Sequence, residues 1–184
     1  MEVIKTPVKD LLIVKADVHP DSRGYFFEAW NRADFKAAGI EVDFCQDNIS
    51  VSSTKWTLRG LHYQAGEFSQ AKLVRCIKGE LLDVAVDLRR ESPSFGKWDS
   101  IRLREGDGQA FFVPRGFAHG FLSLSDEVIF SYKVDNVYNR ASERNLFYAD
   151  PELGINWGLP EGVKPVLKPA DESAPLFKDL ADLF

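Results

Sequence analysis

The sequence predicts an all-β fold, specifically a jelly-roll barrel with a few short helices. Its length of 184 residues suits one domain with a full-sized core. A hydrophobic content of 45% and an aromatic content of 12% supply enough apolar surface to build that core. Short strand-like runs recur along the chain between turn residues, which is typical of β-sandwiches and barrels.

The predicted strands follow one another from residue 11 to residue 134. They cover residues 11–18, 25–30, 42–51, 57–63, 72–77, 80–88, 98–104, 109–113, 118–124 and 128–134. In the run 80–88, Leu82 and Val84 share one face of the strand, while Asp83 and Asp87 share the other. This strand is therefore predicted to have one apolar and one polar face.

The segments between and after these strands predict a helix, a turn and a tail. Asn31 can cap a short helix that Gly39 can end. Residues 78–80 (Lys-Gly-Glu) predict a turn of the hairpin type. Residues 160–175 are rich in proline and predict a tail that wraps the body, with a short amphipathic helix over 175–183. We expect one domain over residues 1–184, with an N-terminal strand arm and a C-terminal wrapping tail.

The distribution of charge disfavours one class of partner and permits another. The formal net charge is −5, with acidic and basic residues interspersed along the chain. A nucleic-acid-binding surface needs clustered basic charge, so no nucleic-acid partner is expected. A small anionic ligand requires only two or three well-placed Arg or Lys side chains, which this composition allows.

The cysteines and the termini indicate the cellular compartment. Cys45 and Cys76 do not form a C-x-x-C pair, and their apolar neighbours predict two reduced core residues rather than a zinc or redox site. The first residues lack the apolar stretch of a signal peptide, and no run is long enough to span a membrane. We therefore expect a cytoplasmic protein with no membrane partner.

Two of the three histidines lie in informative surroundings. His19 precedes Pro20 in a predicted turn, and we assign it no role. The spacing of Gly108, Pro114, Gly116 and His119 resembles the second signature of the cupin superfamily. In that signature a strand, a turn and a second strand bring the histidine into the barrel. His119 is therefore expected inside the barrel.

The first cupin signature is incomplete in this chain. It normally provides two histidines and a glutamate, whereas here His62 is followed by Gln64 where the second histidine would stand. A metal site needs three or four converging ligands, so no metal is expected and His62 is free to act as an acid or base. A carboxylate partner would orient its ring, and spacing leaves Asp83 and a tail acid such as Asp171 as open candidates.

Several basic residues could hold an anionic ligand. For most of them the simplest interpretation is solvated surface charge. Arg59 and Lys72 lie in apolar, β-patterned runs on either side of His62, which suggests an anionic ligand or an enolate intermediate beside that histidine. The group as a whole consists of Arg23, Arg59, Lys72, Arg75, Arg115 and Lys168.

A series of motifs, in a fixed order along nearly the whole chain, resembles the dTDP-4-dehydrorhamnose 3,5-epimerases. These are cupin-fold enzymes of dTDP-L-rhamnose biosynthesis. The matching segments are residues 21–28, 46–48, 58–64, 72–75, 83–89, 92–98, 114–121, 132–133, 150–155 and 171–175.

The resemblance implies proton transfer without a metal or other cofactor. The implied substrate is dTDP-4-dehydro-6-deoxy-D-glucose, whose C4 ketone acidifies the protons on C3 and C5; inversion of both centres gives dTDP-4-dehydro-L-rhamnose. By position, His62 matches the family's base and Asp171 its carboxylate partner. Tyr132 matches the acid on the opposite face, and Lys72 matches the residue beside the C4 oxygen, where it would stabilise the enolate.

The resemblance also implies a substrate-binding set and a homodimer with exchanged strands, in which some of these residues complete the partner's site. Cations of this set can neutralise a diphosphate, and its aromatic and amide side chains can contact thymine or sugar. The set consists of Arg23, Phe26, Glu28, Gln46, Asn48, Arg59, His119, Tyr138, Glu143 and Lys168.

Alternative functions share part of this pattern. Ala71 stands where the family usually has Gly, and Val137 stands where it usually has Tyr. A single-centre epimerase or a ketoisomerase of another dTDP-deoxysugar is the nearest alternative. A non-catalytic cupin that binds a nucleotide sugar would lack His62 or Tyr132, and both are present. A metal-dependent cupin oxygenase fits least, because the H-x-H pair is missing.

Overall fold

A computed structural model describes residues 1–184 and has the predicted all-β, jelly-roll architecture. The strands are β1 (Glu2–Lys5), β2 (Leu12–Lys15), β3 (His19–Asp21), β4 (Gly24–Phe26), β5 (Gln46–Ser52), β6 (Leu58–Gln64), β7 (Lys72–Lys78), β8 (Glu80–Asp87), β9 (Trp98–Arg104), β10 (Gln109–Val113), β11 (Phe117–Ser123), β12 (Val128–Val134) and β13 (Glu143–Asn145). The helices are α1 (Arg32–Ala37) and α2 (Pro169–Glu172), with 3-10 turns at Gly66–Phe68, Arg140–Ser142 and Phe177–Asp179.

Two antiparallel sheets form the barrel. The six-stranded sheet has the order β1-β2-β10-β7-β12-β5, and the five-stranded sheet has the order β13-β6-β11-β8-β9. Strands β3 and β4 pair only with each other. Because sequence neighbours such as β7 and β8 lie in different sheets, the chain crosses repeatedly between the two walls of the barrel.

Three apolar clusters cover both faces of both sheets. The first lies between the sheets and includes Val74 and Phe111 from one sheet and Leu81 and Phe121 from the other. The second lies on the outer face of the five-stranded sheet, where tail residues such as Trp157 cover it. The third lies under α1 on the outer face of the six-stranded sheet. Apolar residues therefore occupy the barrel interior as well as the outer face of each sheet.

β8 has the predicted apolar and polar faces, and the structure shows that both of them are buried. Val84 and Val86 pack under the tail, while Asp83 and Asp87 are each 0% exposed. Asp87 accepts hydrogen bonds from Arg89, Ser92 and Ser94. These bonds hold the pKa of Asp87 below its usual value even though burial alone would raise it.

The turn at residues 78–80 also differs from the prediction. β7 and β8 do not pair as a hairpin; instead Gly79 carries the chain from one sheet to the other. Gly79 has a φ of +82°, and a Cβ atom there would lie 2.3 Å from the carbonyl oxygen of Glu127. The glycine is thus required by the close approach of the β11–β12 connection.

The local predictions had mixed outcomes. Asn31 caps α1 as predicted, since its side chain accepts hydrogen bonds from the backbone N–H groups of Ala33 and Asp34. The predicted strand over 25–30 is wrong beyond Phe26, where β4 ends. The predicted terminal helix over 175–183 is reduced to the single turn Phe177–Asp179. The tail instead has a short helix that was not predicted, α2.

The cysteine prediction is half correct. Cys76 is buried, and its Sγ lies 3.2 Å from the carbonyl oxygen of Lys78, whereas Cys45 is exposed. Both are free thiols. No helix is long and apolar enough to cross a membrane.

Candidate active site

A cavity of about 410 Å³ lies in the barrel between the two sheets and opens beside the tail. Side chains from β6, β7, β11, β12 and α2 line it. Nine of the predicted site residues contribute to the lining: His62, Lys72, Tyr132, Asp171, Arg59, His119, Tyr138, Glu143 and Lys168.

His62 and Asp171 form a hydrogen-bonded pair in the cavity wall. The His62 Nε2 atom lies 2.7 Å from Asp171 Oδ1. The carboxylate is 1% exposed, and the Lys168 ammonium lies 3.7 Å from the same oxygen. A buried carboxylate in this position fixes the orientation of the ring. Of the two carboxylates that spacing left open, the structure places Asp171 against His62.

The tail holds Asp171 in this position through anchors on either side of it. The Asn145 side chain donates to the carbonyl oxygen of Ala170, one residue before the carboxylate. Beyond α2, the Phe147 N–H donates to the Pro175 carbonyl oxygen at 2.9 Å. Asp150 then accepts a hydrogen bond from the Phe177 N–H at 2.8 Å. These three hydrogen bonds fix an irregular part of the tail and thereby hold the Asp171 carboxylate beside His62.

Strands β6 and β11 approach each other closely beside His62. Gly120 on β11 lies opposite this stretch, and a Cβ atom at Gly120 would stand 2.7 Å from the carbonyl oxygen of Arg59. Neither strand has room for a side chain at this crossing. Glycine at positions 60 and 120 therefore allows β6 and β11 to pair this closely beside His62.

Asp83 pairs with the other barrel histidine. His119 Nε2 lies 2.8 Å from Asp83 Oδ1, and both side chains are buried. Burial raises the pKa of Asp83 and lowers the pKa of His119, so both shifts favour the uncharged forms. The second carboxylate oxygen of Asp83 has no hydrogen-bond partner. His119 belongs to the lining of the cavity, whereas Asp83 does not reach it.

Lys72 places an ammonium group in the cavity with little water around it. The residue is 9% exposed and makes no ion pair closer than 4 Å. Burial lowers the pKa of Lys72 from 10.5 to about 8, although the charges of Asp83 and Glu143 act in the opposite direction. A cation that is not neutralised by a close carboxylate is well suited to stabilise negative charge that develops on a ligand.

Tyr132 lies on the wall opposite His62. It belongs to β12 of the six-stranded sheet, between β5 and β7, whereas His62 belongs to β6 of the five-stranded sheet. Burial raises the pKa of the Tyr132 phenol above 10, and the charge of Arg59 only partly offsets this effect. The phenol therefore carries its proton at neutral pH and can act as an acid.

Two aromatic residues of the cavity were not predicted. Phe130 packs against His119 with ring centroids 6.0 Å apart, and against Tyr132 at 5.5 Å. Phe121 stacks on Phe130 at 4.4 Å. Phe130 and Tyr132 are two residues apart on one strand and share a face, so the position of Tyr132 could have indicated Phe130.

The rim of the cavity holds four of the ten predicted binding residues, namely Arg59, Tyr138, Glu143 and Lys168. Arg59 donates to Ser52 Oγ and to the Val51 carbonyl oxygen on β5. The Tyr138 hydroxyl donates to Glu143 at 2.8 Å. These groups combine positive charge, an exposed aromatic ring and hydrogen-bonding atoms at the mouth.

Gln46 and Asn48 lie next to this rim without lining the cavity. Their side chains are hydrogen-bonded to each other at 2.9 Å, and Gln46 accepts a weak bond of 3.4 Å from the Tyr138 N–H. Both point from β5 in the same direction as Ser50, which does line the cavity.

Three predicted residues lie apart from this site. Arg23, Phe26 and Glu28 belong to the segment 18–29, which contains β3 and β4 and which we call the arm. The arm contributes nothing to the cavity lining of its own chain. Phe26 is 71% exposed, and the Arg23 guanidinium pairs only with Asp21 within the arm. The structure therefore does not bring these three residues to the site that holds the others.

Comparison with known proteins gives a consistent result. A family model described as dTDP-4-dehydrorhamnose 3,5-epimerase matches residues 5–179. The chain is 45% identical to the dTDP-4-dehydrorhamnose 3,5-epimerase of Shigella flexneri, over 100% of this chain and 99% of that protein.

Solved structures agree with the sequence relatives. The dTDP-4-dehydrorhamnose 3,5-epimerase of Elizabethkingia anophelis is similar with a TM-score of 0.91 at 48% identity, covering 97% of each chain. A dTDP-6-deoxy-D-glucose-3,5-epimerase of Legionella pneumophila, in complex with dTDP-4-keto-L-rhamnose, is similar with a TM-score of 0.91 at 40% identity. The match covers 98% of this chain and 94% of that one.

Proposed function

This chain belongs to the dTDP-4-dehydrorhamnose 3,5-epimerase family and is an isomerase of that type, and on that basis we propose its reaction and the roles of its residues. The substrate is dTDP-4-dehydro-6-deoxy-D-glucose. The enzyme inverts C3 and C5 by proton transfer through an enolate and releases dTDP-4-dehydro-L-rhamnose.

One observation carries the proposal: the His62–Asp171 pair and the Tyr132 phenol line the same cavity from opposite sheets. Inversion of a carbon requires a base on one face and an acid on the other, because a single group on one face would only exchange the proton. His62, oriented by Asp171, is the base, and Tyr132 is the acid.

Each inversion can be written as a balanced pair of proton transfers. His62 removes the proton from C3 or C5, and the electron pair of the C–H bond moves through the new C=C bond to the C4 oxygen. Lys72 stabilises the resulting enolate. The C4 carbonyl then re-forms while Tyr132 delivers its proton to the opposite face of the same carbon. Exchange with water returns His62 to its neutral form and Tyr132 to its protonated form before the second centre reacts.

The rim residues are proposed to bind the dTDP part. Arg59 and Lys168 lie at the mouth with side chains that can reach two oxygens of a diphosphate. Tyr138 offers an exposed ring, and Gln46 and Asn48 offer amide groups for the base edge. This arrangement leaves the sugar at the inner end of the cavity, among His62, Lys72 and Tyr132.

We further propose a homodimer in which each arm completes the other subunit's site. The resemblance implies that Arg23, Phe26 and Glu28 contact the nucleotide, but these residues lie outside the cavity of their own chain. An arm with exposed Tyr25 and Phe26 supports exchange, as does β5, an edge strand with Ile49 65% exposed. An uncovered apolar edge of this kind invites pairing with another chain.

The test is to incubate the purified protein with dTDP-4-dehydro-6-deoxy-D-glucose in heavy water and to follow the hexose ring by NMR. We expect deuterium at both C3 and C5, together with the ring couplings of the L-rhamno configuration, because both new protons come from solvent-exchanged groups. Label at one carbon alone would show a single-centre epimerase. Tight binding of dTDP without any label would show a binding protein and would overturn the proposal.

A further inference from the structure

Arg75 is a buried arginine that the catalytic scheme does not use. It lies on β7 and is 8% exposed, although the sequence suggested solvated surface charge. Successive residues of β7 alternate in direction: Val74 belongs to the cluster inside the barrel, and Leu73 belongs to the cluster on the outer face. Arg75 therefore extends to the outer face, away from Lys72 and the cavity.

The guanidinium of Arg75 connects the arm to the body of the subunit. It donates to the carbonyl oxygen of Ala29 at the end of the arm, and to those of Gly108 and Gln109, each at 3.4 Å, at the start of β10. Its Cζ atom also lies 5.6 Å from the centre of the Phe27 ring. One planar side chain thus holds two separate backbone segments and an aromatic ring.

Little else fixes the arm. Residues 18–29 form a single hydrogen bond with the rest of the subunit, the one that Arg75 donates to the carbonyl oxygen of Ala29. Their other hydrogen bonds lie within the arm, mainly in the ladder between β3 and β4. The Tyr25 ring stacks on Phe27 with centroids 6.1 Å apart and packs against Gly106. Every residue of β3 and β4 is exposed. A two-stranded hairpin of this size has little stability of its own, so its direction depends on its base.

We propose that Arg75 is a positioning residue for nucleotide binding in the neighbouring subunit. By fixing the base of the arm, it determines where Arg23, Phe26 and Glu28 meet the dTDP part of a substrate bound by the partner. This inference rests on the proposed function and on the proposed exchange of arms. Arg75 thus affects ligand binding although its side chain lies on the face of β7 that points away from the cavity.

The first experiment separates binding from catalysis. In Arg75→Met we expect the KM for dTDP-4-dehydro-6-deoxy-D-glucose and the Kd for dTDP to rise about tenfold, with kcat within about twofold, because the arm must be ordered at the cost of binding energy. Arg102→Met is the matched control: this arginine is on β9, is exposed and contacts Glu80 rather than the arm. A fall of about tenfold in kcat with unchanged KM and Kd would show a purely structural role for Arg75 and would overturn the proposal.

A second variant covers the case in which Arg75→Met fails to fold. Arg75→Lys keeps the buried charge but cannot reach three carbonyl oxygens with one planar fork, so we expect a smaller rise in both constants. Wild-type KM and Kd in Arg75→Lys would contradict the proposal.

Mixed dimers test whether the effect acts between subunits. When one subunit carries His62→Ala and its partner carries Arg75→Met, the intact cavity receives an intact arm, and we expect the wild-type KM. When both changes are on one subunit and the partner is wild type, the intact cavity receives the altered arm, and we expect the raised KM. The reverse pattern would show that Arg75 acts within its own subunit and would overturn the proposal.

Arg23→Ala separates failure of this inference from failure of the proposed function. If Arg23→Ala weakens dTDP binding and Arg75→Met does not, the role of Arg75 is wrong and the arm's role stands. If Arg23→Ala leaves the Kd for dTDP unchanged while the wild-type enzyme labels C3 and C5, the exchanged arm is wrong, and the role of Arg75 falls with it.

Discussion

In His62→Ala we expect kcat to fall about a thousandfold while the Kd for dTDP changes little, because general base catalysis of this kind contributes two to four orders of magnitude. The residues proposed to contact the diphosphate, Arg59 and Lys168, are other members of the cavity lining, so removal of the His62 ring leaves them in place. The measurement is the rate of C3 and C5 deuteration by NMR, together with dTDP titration by calorimetry.

Two companion measurements make this result specific to proton transfer. Imidazole added to His62→Ala should restore part of the rate in proportion to its concentration, since it can enter the space that the side chain leaves. Asp171→Asn should reduce kcat less than His62→Ala, because the amide oxygen can still orient the ring but no longer stabilises its positive charge. Full activity of His62→Ala would exclude His62 as the base.

Lys72→Met is expected to lower kcat about a hundredfold, the usual range for removal of one group that stabilises an oxyanion. The same change should raise the free energy of unfolding at pH 7 by up to about 3 kcal/mol, because burial lowers the pKa of Lys72 from 10.5 to about 8 and each unit is worth about 1.4 kcal/mol. The enzyme would thus become more stable as it becomes less active.

The pH dependence follows from the direction of that shift. Between about pH 8 and 10.5 the unfolded lysine binds more protons than the folded one, so wild-type stability rises with pH through this window. The free energy of unfolding of Lys72→Met should therefore exceed that of the wild type most below pH 8, and the difference should disappear near pH 10.5. Urea unfolding at several pH values measures it. Lys78→Met, at the exposed end of the same strand, is the control and should change stability little. An unchanged stability in Lys72→Met would contradict the account of its burial.

The barrel could be predicted from the sequence because its signals are local. Runs of alternating residues bounded by turns gave every strand from β5 to β12, and Asn31 marked the start of α1. The hairpin expected at residues 78–80 was wrong because pairing depends on which sheet each strand joins. A glycine turn in the sequence does not contain that information.

The candidate site could be predicted only in part, because its key contacts join distant segments. Asp171 is 109 positions from His62, and it comes from a four-residue helix that periodicity cannot detect. Local pattern left Asp83 as an equal candidate until the structure placed it against His119. From the sequence, Arg75 resembled an exposed basic residue. The segment that covers it, the arm, is itself irregular and mostly exposed, so no local pattern indicates the burial.

His62 and Tyr132 are proposed to act on opposite faces of the sugar, and the variant Tyr132→Phe in heavy water tests this assignment most directly. This variant keeps the base and the ring but loses the acid, so we expect deuterium to enter C3 and C5 with the original configuration faster than either centre inverts. The ratio of exchange to inversion, measured by NMR against the wild-type enzyme, should rise at least about tenfold. Equal loss of exchange and inversion would contradict the two-face assignment.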